Sequence, residues 1–144
     1  MSTGGLANME AMAQVLRGYL SPGAVKAEEW RQTLAEGCIY EDWGTEPISG
    51  RDRIVREVLA PVETSFADAR HVIDETISDS TRLVVLGQFS GRFVAPYMGT
   101  VPTGGEVSWA VRDVWTFDEG RVIRIDIASD TARVAEAMAV ESGS

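Results

Sequence analysis

Apolar residues recur early in the chain at Met9, Met12, Ala13, Leu16, Tyr19 and Leu20, the spacing of one helical face. The pattern predicts a helix from about Asn8, ended by Ser21-Pro22-Gly23, with Tyr19 turned inward near its end. A second helix is expected from about Val25 through Trp30 and Leu34 to Gly37, with Lys26, Glu28, Glu29, Arg31 and Gln32 on its wet side. Arg51 to Leu59 reads as a third, burying Ile54, Val55, Val58 and Leu59, and Pro61 either disrupts it or begins a further short turn.

From Phe66 the period changes. Arg70 to Ser78 is rich in β-formers, and Asp79-Ser80 turns the chain into a second strand, Arg82 to Phe93. Pro96, Gly99, Pro102, Gly104 and Gly105 make an extended connection to Glu106–Phe117, and Asp118-Glu119-Gly120 leads into Val122–Ala128. Ser129 or Asp130 is placed to cap a last helix from about Thr131 to Ala139. Three helices followed by a meander of long strands predict an α+β fold, a long curved antiparallel sheet with the helices on one face. No repeat and no linker interrupts it.

Alternation along the strands sorts their side chains. If Asp113 points inward, Trp109, Val111, Trp115 and Phe117 share its face, and Arg112, Val114 and Thr116 take the other. Val85, Gly87, Phe89, Gly91 and Phe93 likewise share a face, where the glycines permit strong curvature. In the last strand Ile123, Ile125 and Ile127 form the apolar row, leaving Arg124 and Asp126 outside.

Composition narrows the partners. The 144 residues, 44% hydrophobic, fit a single domain over 1–144 with an ordered core of about 8–139. The net charge is −9 and the basic residues are scattered singly, so neither nucleic acid nor an anionic membrane is expected as a partner. The single Cys38 forbids an intramolecular disulfide, and no leader pattern or spanning apolar run is present, so a cytoplasmic address is expected. One His, one Cys and no CxxC or HExxH leave no recognisable zinc site. Acid/base chemistry without metal remains open.

The stretch Ile39-Tyr40-Glu41-Asp42-Trp43-Gly44-Thr45-Glu46-Pro47-Ile48-Ser49-Gly50 puts two carboxylates and a tryptophan where a short strand breaks into a turn. Glu41 and Asp42 read either as solvated turn residues or, for Asp42, as a partly desolvated carboxylate whose pKa rises towards that of a general base. Asp113 reads either as a neutral carboxyl group in an aromatic wall or as a strand-edge residue paired with Arg112 or Arg124. His71, the only histidine, opens the first long strand as either a surface residue or a partner acid or base. Trp43, Trp109 and Trp115 are candidates to line a pocket for an extended apolar ligand, and Trp30 reads as structural.

This order of elements resembles the cone-shaped α+β fold of the nuclear-transport-factor-like superfamily, in particular its ketosteroid-isomerase-like and SnoaL-like polyketide-cyclase members, over roughly Met9 to Met138. The block Cys38 to Gly50 is similar to the isomerase block that carries the proton-shuttling Asp, with Asp42 in that place. Tyr19 and Asp113 fall where the isomerases have an oxyanion hole of Tyr and protonated Asp, an arrangement that is itself a standard example of pKa tuning. Phe66–Arg70, Gly87–Phe93, Thr100–Val107 and Val114–Val122 look SnoaL-like. In the cyclases' Gly-x-His-x-Gly pattern the His place holds Phe89, and Ile125-Asp126 replaces their His-Trp pair.

The resemblance implies a pocket inside the cone and a cofactor-free cyclase of secondary metabolism. Its substrate would be a hydrophobic polyketide-derived molecule, with a polyketide synthase as one source. It assigns Asp42 as proton acceptor and donor, Tyr19 and Asp113 as hydrogen-bond donors to an enolate-like oxygen, and His71 as a partner acid or base. Trp43, Phe89, Trp109, Trp115, Tyr97 and Met98 would hold the substrate. It also implies a homodimer through the outer sheet face. The alternatives are a ketosteroid-type isomerase, a polyether-type epoxide hydrolase or cyclase, and a non-catalytic ligand-binding domain.

Overall fold

A computed structural model describes residues 3–22, 25–42, 45–97, 99–128, 136 and 138. The elements run α1 (Thr3–Leu20), α2 (Val25–Arg31), β1 (Leu34–Asp42), β2 (Ile48–Ser49), α3 (Arg51–Ile54), a π-helical turn (Val55–Leu59), α4 (Ala60–Ser65), β3 (Phe66–Ser78), β4 (Arg82–Phe93), β5 (Glu106–Asp118) and β6 (Arg121–Ile127). The expected C-terminal helix and its cap lie mostly outside the described residues; Glu136 and Met138 are helical.

The strands form one sheet in the order β2-β1-β6-β5-β4-β3. It is mixed, not antiparallel as expected, because β1 pairs with β6 in parallel. Short turns force antiparallel pairing of β3 with β4 and of β5 with β6, and β4 pairs antiparallel with β5 across the longer 94–105 connection, whereas the whole intervening chain joins β1 to β6 and leaves either direction open.

The second helix is shorter than the expected span from about Val25 to Gly37. α2 ends at Arg31 and the chain is already extended at Leu34. Leu34 and Cys38 are both fully buried, and a spacing of four satisfies a helix face and a strand face alike. The third helix continues past Pro61 to Ser65: the ring sits in the first turn of α4, where a missing N–H costs little, directly after the π turn. The first long strand begins at Phe66, four residues before its expected start, with a register shift between Ala67 and Arg70 where Asp68 has φ 55°.

Inner-face parity holds along β4 and β5, where Val85, Phe89, Phe93, Val111, Asp113, Trp115 and Phe117 are all buried. In β6 it holds for Ile125 but slips at the start. A bulge against Phe117 sends Val122 inward, fully buried, and leaves Ile123 40% exposed, so Ile123 does not belong to the inner row.

Two glycines permit close approaches that shape the interior. A Cβ on Gly18 would lie 2.1 Å from Trp30 Nε1, so only glycine lets the Trp30 ring lie against α1 and donate to Val15 O at 2.9 Å. A Cβ on Gly87 would lie 2.1 Å from the Val72 carbonyl oxygen, so its absence lets β3 curl over β4.

Candidate functional site

Cross-strand register brings chemistry-bearing side chains into rows on the inner face. Asp42 of β1 is opposite Ile127 of β6, which is opposite Asp113 of β5. The next row is Tyr40, Ile125 and Trp115. Further along the sheet, Trp109 of β5 is opposite Phe89 of β4, which is opposite His71 of β3. These rows form the floor and wall of a cavity of about 140 Å³, covered from the helical side by Lys26, Trp30, Leu59 and Glu63. Tyr97 closes one flank.

Of the residues singled out from the sequence, Asp42, Asp113, His71, Phe89, Trp109, Trp115 and Tyr97 line this one cavity. Trp43 and Met98 lie outside the described residues. Tyr19 is the exception. Its side chain is fully buried and does not line the cavity; its hydroxyl donates to Asp113 Oδ2 and accepts a hydrogen bond from Trp115 Nε1 at 2.8 Å. Both oxygen functions of Tyr19 are thus spent on holding two lining side chains. The hydroxyl expected to donate to a substrate oxygen is engaged with Asp113 and Trp115, behind the wall they form.

Asp113 is 9% exposed and sits among aromatic rings. Burial pushes its carboxyl group up to about 7, opposed by the Tyr19 hydrogen bond and reinforced by the charge of Asp42. Arg112 and Arg124 do not pair with it: Arg112 donates to Val111 O, and Arg124 joins Glu41 and Asp126 on the outer face. Asp42 is half-buried at the end of β1, where its carbonyl accepts from Thr45 N and Oγ1. Burial and then the Asp42 charge raise the phenols of Tyr40 and Tyr97 above their ordinary value, which keeps both neutral donors facing the same space.

The opposite side of the cavity holds a group that the sequence reading missed. Lys26, expected on the wet side of α2, is 2% exposed and its Nζ is 3.0 Å from Tyr19 O and 3.1 Å from His71 Nδ1. Burial lowers its ammonium to about 8, against the charge of Glu63. Burial and the Lys26 charge lower His71 to about 3, so the imidazole is neutral near pH 7. With Nδ1 accepting from lysine, its proton resides on Nε2. Glu63 accepts from Ala27 N at the start of α2. The signal for Lys26 was present in the sequence only as a charged residue one place after Val25 in a helix of seven residues, too short for its buried face to show as a period.

Among the described residues, no cluster of three or more His, Cys, Asp or Glu could hold a metal ion. What the cavity offers is a pair of carboxyl groups on one row, neutral phenols, a buried amine and an aromatic wall.

The family model for the SnoaL-like domain matches residues 20–125. The chain belongs to the SnoaL-like family. Compared with curated proteins, the sequence has no significant match. Among solved structures, this SnoaL-like chain is similar to a candidate SnoaL-like polyketide cyclase from Jannaschia sp. CCS1, with 19% identity, TM-score 0.80 and 94% and 95% of the two chains covered. It is also similar to IdmH, a candidate polyketide cyclase from Streptomyces antibioticus, with 15% identity, TM-score 0.71 and coverage of 92% and 99%. A third is an LEH-like epoxide hydrolase from M. tuberculosis, with 14% identity, TM-score 0.67 and coverage of 92% and 90%. At these identities the likeness establishes a common α+β fold with a curved, unclosed mixed sheet.

Proposed function

We propose that this SnoaL-like protein is a cofactor-independent cyclase or isomerase acting on a hydrophobic, polyketide-derived carbonyl compound. The observation that carries the reading is the row Asp42–Ile127–Asp113, which aims two carboxyl groups of different environment into one aromatic cavity. Asp42, half-buried, takes a proton from the carbon beside a substrate carbonyl and returns it at the position where the new bond pattern requires it. Asp113, held near 7 by burial, has a neutral form that donates a hydrogen bond to the oxygen on which negative charge develops. Tyr19 is a positioning residue: it fixes Asp113 and Trp115 together. Phe89, Trp109 and Trp115 form the surface on which an extended substrate folds, and Trp43 and Met98 are assigned to the same surface by sequence.

The test is turnover of a β,γ-unsaturated cyclic ketone to its conjugated isomer, followed by ultraviolet absorbance in wild type and Asp42→Asn. Loss of roughly two decades or more in kcat supports proton transfer by Asp42. Near-normal turnover by Asp42→Asn contradicts it and leaves templating by the aromatic wall as the source of rate.

A second reading, opening of an epoxide by water, is favoured by the same row, since two carboxyl groups separated by one strand can straddle a water and an epoxide oxygen. It predicts a diol carrying one oxygen from labelled water and equal dependence on Asp42 and Asp113.

A further inference from the structure

Lys26 is a buried cation with no salt bridge among the described residues. Its side chain is almost wholly removed from solvent, yet among the described residues no carboxylate oxygen lies within salt-bridge distance of it. Its two hydrogen-bond partners among the described residues, Tyr19 O and His71 Nδ1, are both neutral acceptors, which leaves one of three ammonium protons without an acceptor among them. Glu63 is near enough to be felt, but its Oε1 is committed to the Ala27 N–H. A desolvated ammonium is retained only where something compensates it. Lys26 lines the cavity together with Trp30 and Phe89.

We propose that Lys26, oriented by His71, binds an ionised oxygen of the ligand, so that the cavity selects aromatic or polycyclic molecules carrying a carboxylate or an enolate-type oxygen. The ligand's charged end sits at Lys26 and its apolar body lies against Trp30, Phe89 and Trp109. This rests on the cavity being the substrate site, and it adds a direction: the anionic end is held from the helical side, away from the Asp42–Asp113 row on the sheet. The overall charge of −9 works against anions at long range, so selection of an acid would have to come from this local contact.

The experiment is direct binding, by quenching of tryptophan fluorescence and by calorimetry, of 2-naphthoate and 2-hydroxy-1,4-naphthoquinone against their methyl ester and methyl ether. Wild type is expected to prefer at least one ionised form over its methylated partner by roughly tenfold or more, the scale of a hydrogen bond to a charged group. Preference for the naphthoate assigns a carboxylate ligand, and preference for the quinone assigns an enolate. Lys26→Met is expected to abolish the preference while still binding the methylated ligands, and Lys26→Arg to retain part of it. Equal binding of ionised and methylated forms by wild type, or an unchanged preference in Lys26→Met, overturns the anion site and leaves the cavity reading standing. Binding of none of the four ligands to wild type overturns both.

Discussion

Asp42 and Asp113 face the same cavity from the first and fifth strands with only Ile127 between them. Two inter-strand spacings put their Cα atoms roughly 9 to 10 Å apart, a gap that a substrate group or a water can occupy. The relationship depends on the parallel pairing of β1 with β6, because that pairing carries the end of β1 to the middle of the sheet. Their environments differ: Asp113 is buried against Tyr19, whose hydroxyl it shares with Trp115, whereas Asp42 sits at a strand end beside the Thr45 turn.

The pH dependence of stability should divide between two buried groups of opposite sign. Asp113, raised to about 7, keeps its proton in the folded protein over a range where the unfolded chain has lost it, so its contribution falls as pH rises from about 4 to 7. His71, lowered to about 3, stays neutral in the fold where the unfolded chain is protonated, so its contribution rises from about pH 3 to 6.5. In wild type the two slopes oppose each other between about pH 4 and 6.5. Urea midpoints across that range are expected to rise more steeply with pH in Asp113→Asn than in wild type, and to fall with pH in His71→Gln. Identical slopes in all three proteins would mean that neither group titrates as the structure implies.

Tyr19→Phe removes a donor to Asp113 and an acceptor for Trp115 without opening a large cavity. A stability loss of about 1 to 3 kcal/mol is expected from the two buried polar atoms left without partners. Because the Tyr19 hydrogen bond is what opposes the upward push of burial, Asp113 moves still higher in the variant. The limb of the rate profile that reports deprotonation of Asp113 should therefore move to higher pH. A fall in kcat with that limb unmoved would instead place Tyr19 in contact with the substrate.

Much of this site was legible in the sequence because strands with one buried face alternate strictly. Parity grouped Asp113 with Trp109 and Trp115, and the register has now aligned Phe89 and His71 with Trp109. Alternation fails where a bulge intervenes, as at Val122 and Ile123, since one extra residue inverts everything on its far side. The pairing of β1 with β6 was not legible, because it joins segments that no turn connects. Nor was Lys26: α2 is short, and a lysine becomes buried only through partners supplied by other elements, here the Tyr19 carbonyl and the His71 ring. Tyr19 was correctly placed inward near the end of α1, but its direction depended on Asp113 and Trp115 lying within reach, which is a tertiary fact.

The outer sheet face predicts association. Val72 is 60% and Ile77 53% exposed, and the half-buried Val84 and Val114, in register with Ile77, carry an apolar row across β3, β4 and β5. Light scattering at micromolar concentration is expected to give the mass of two chains, and a Val72→Glu/Ile77→Glu double variant that of one. A monomeric wild type across that range removes the dimer from the account.

The most direct test of the central claim is exchange of the α-proton of a cyclic ketone with deuterated solvent, followed by NMR, in wild type, Asp42→Asn and Asp113→Asn. Exchange needs no knowledge of the natural substrate and reports the proton transfer itself. Wild type is expected to catalyse it, Asp42→Asn to lose it by roughly two decades or more, and Asp113→Asn to lose less because the amide still donates a hydrogen bond. Exchange that proceeds equally in wild type and Asp42→Asn would contradict the assignment of Asp42 as the base.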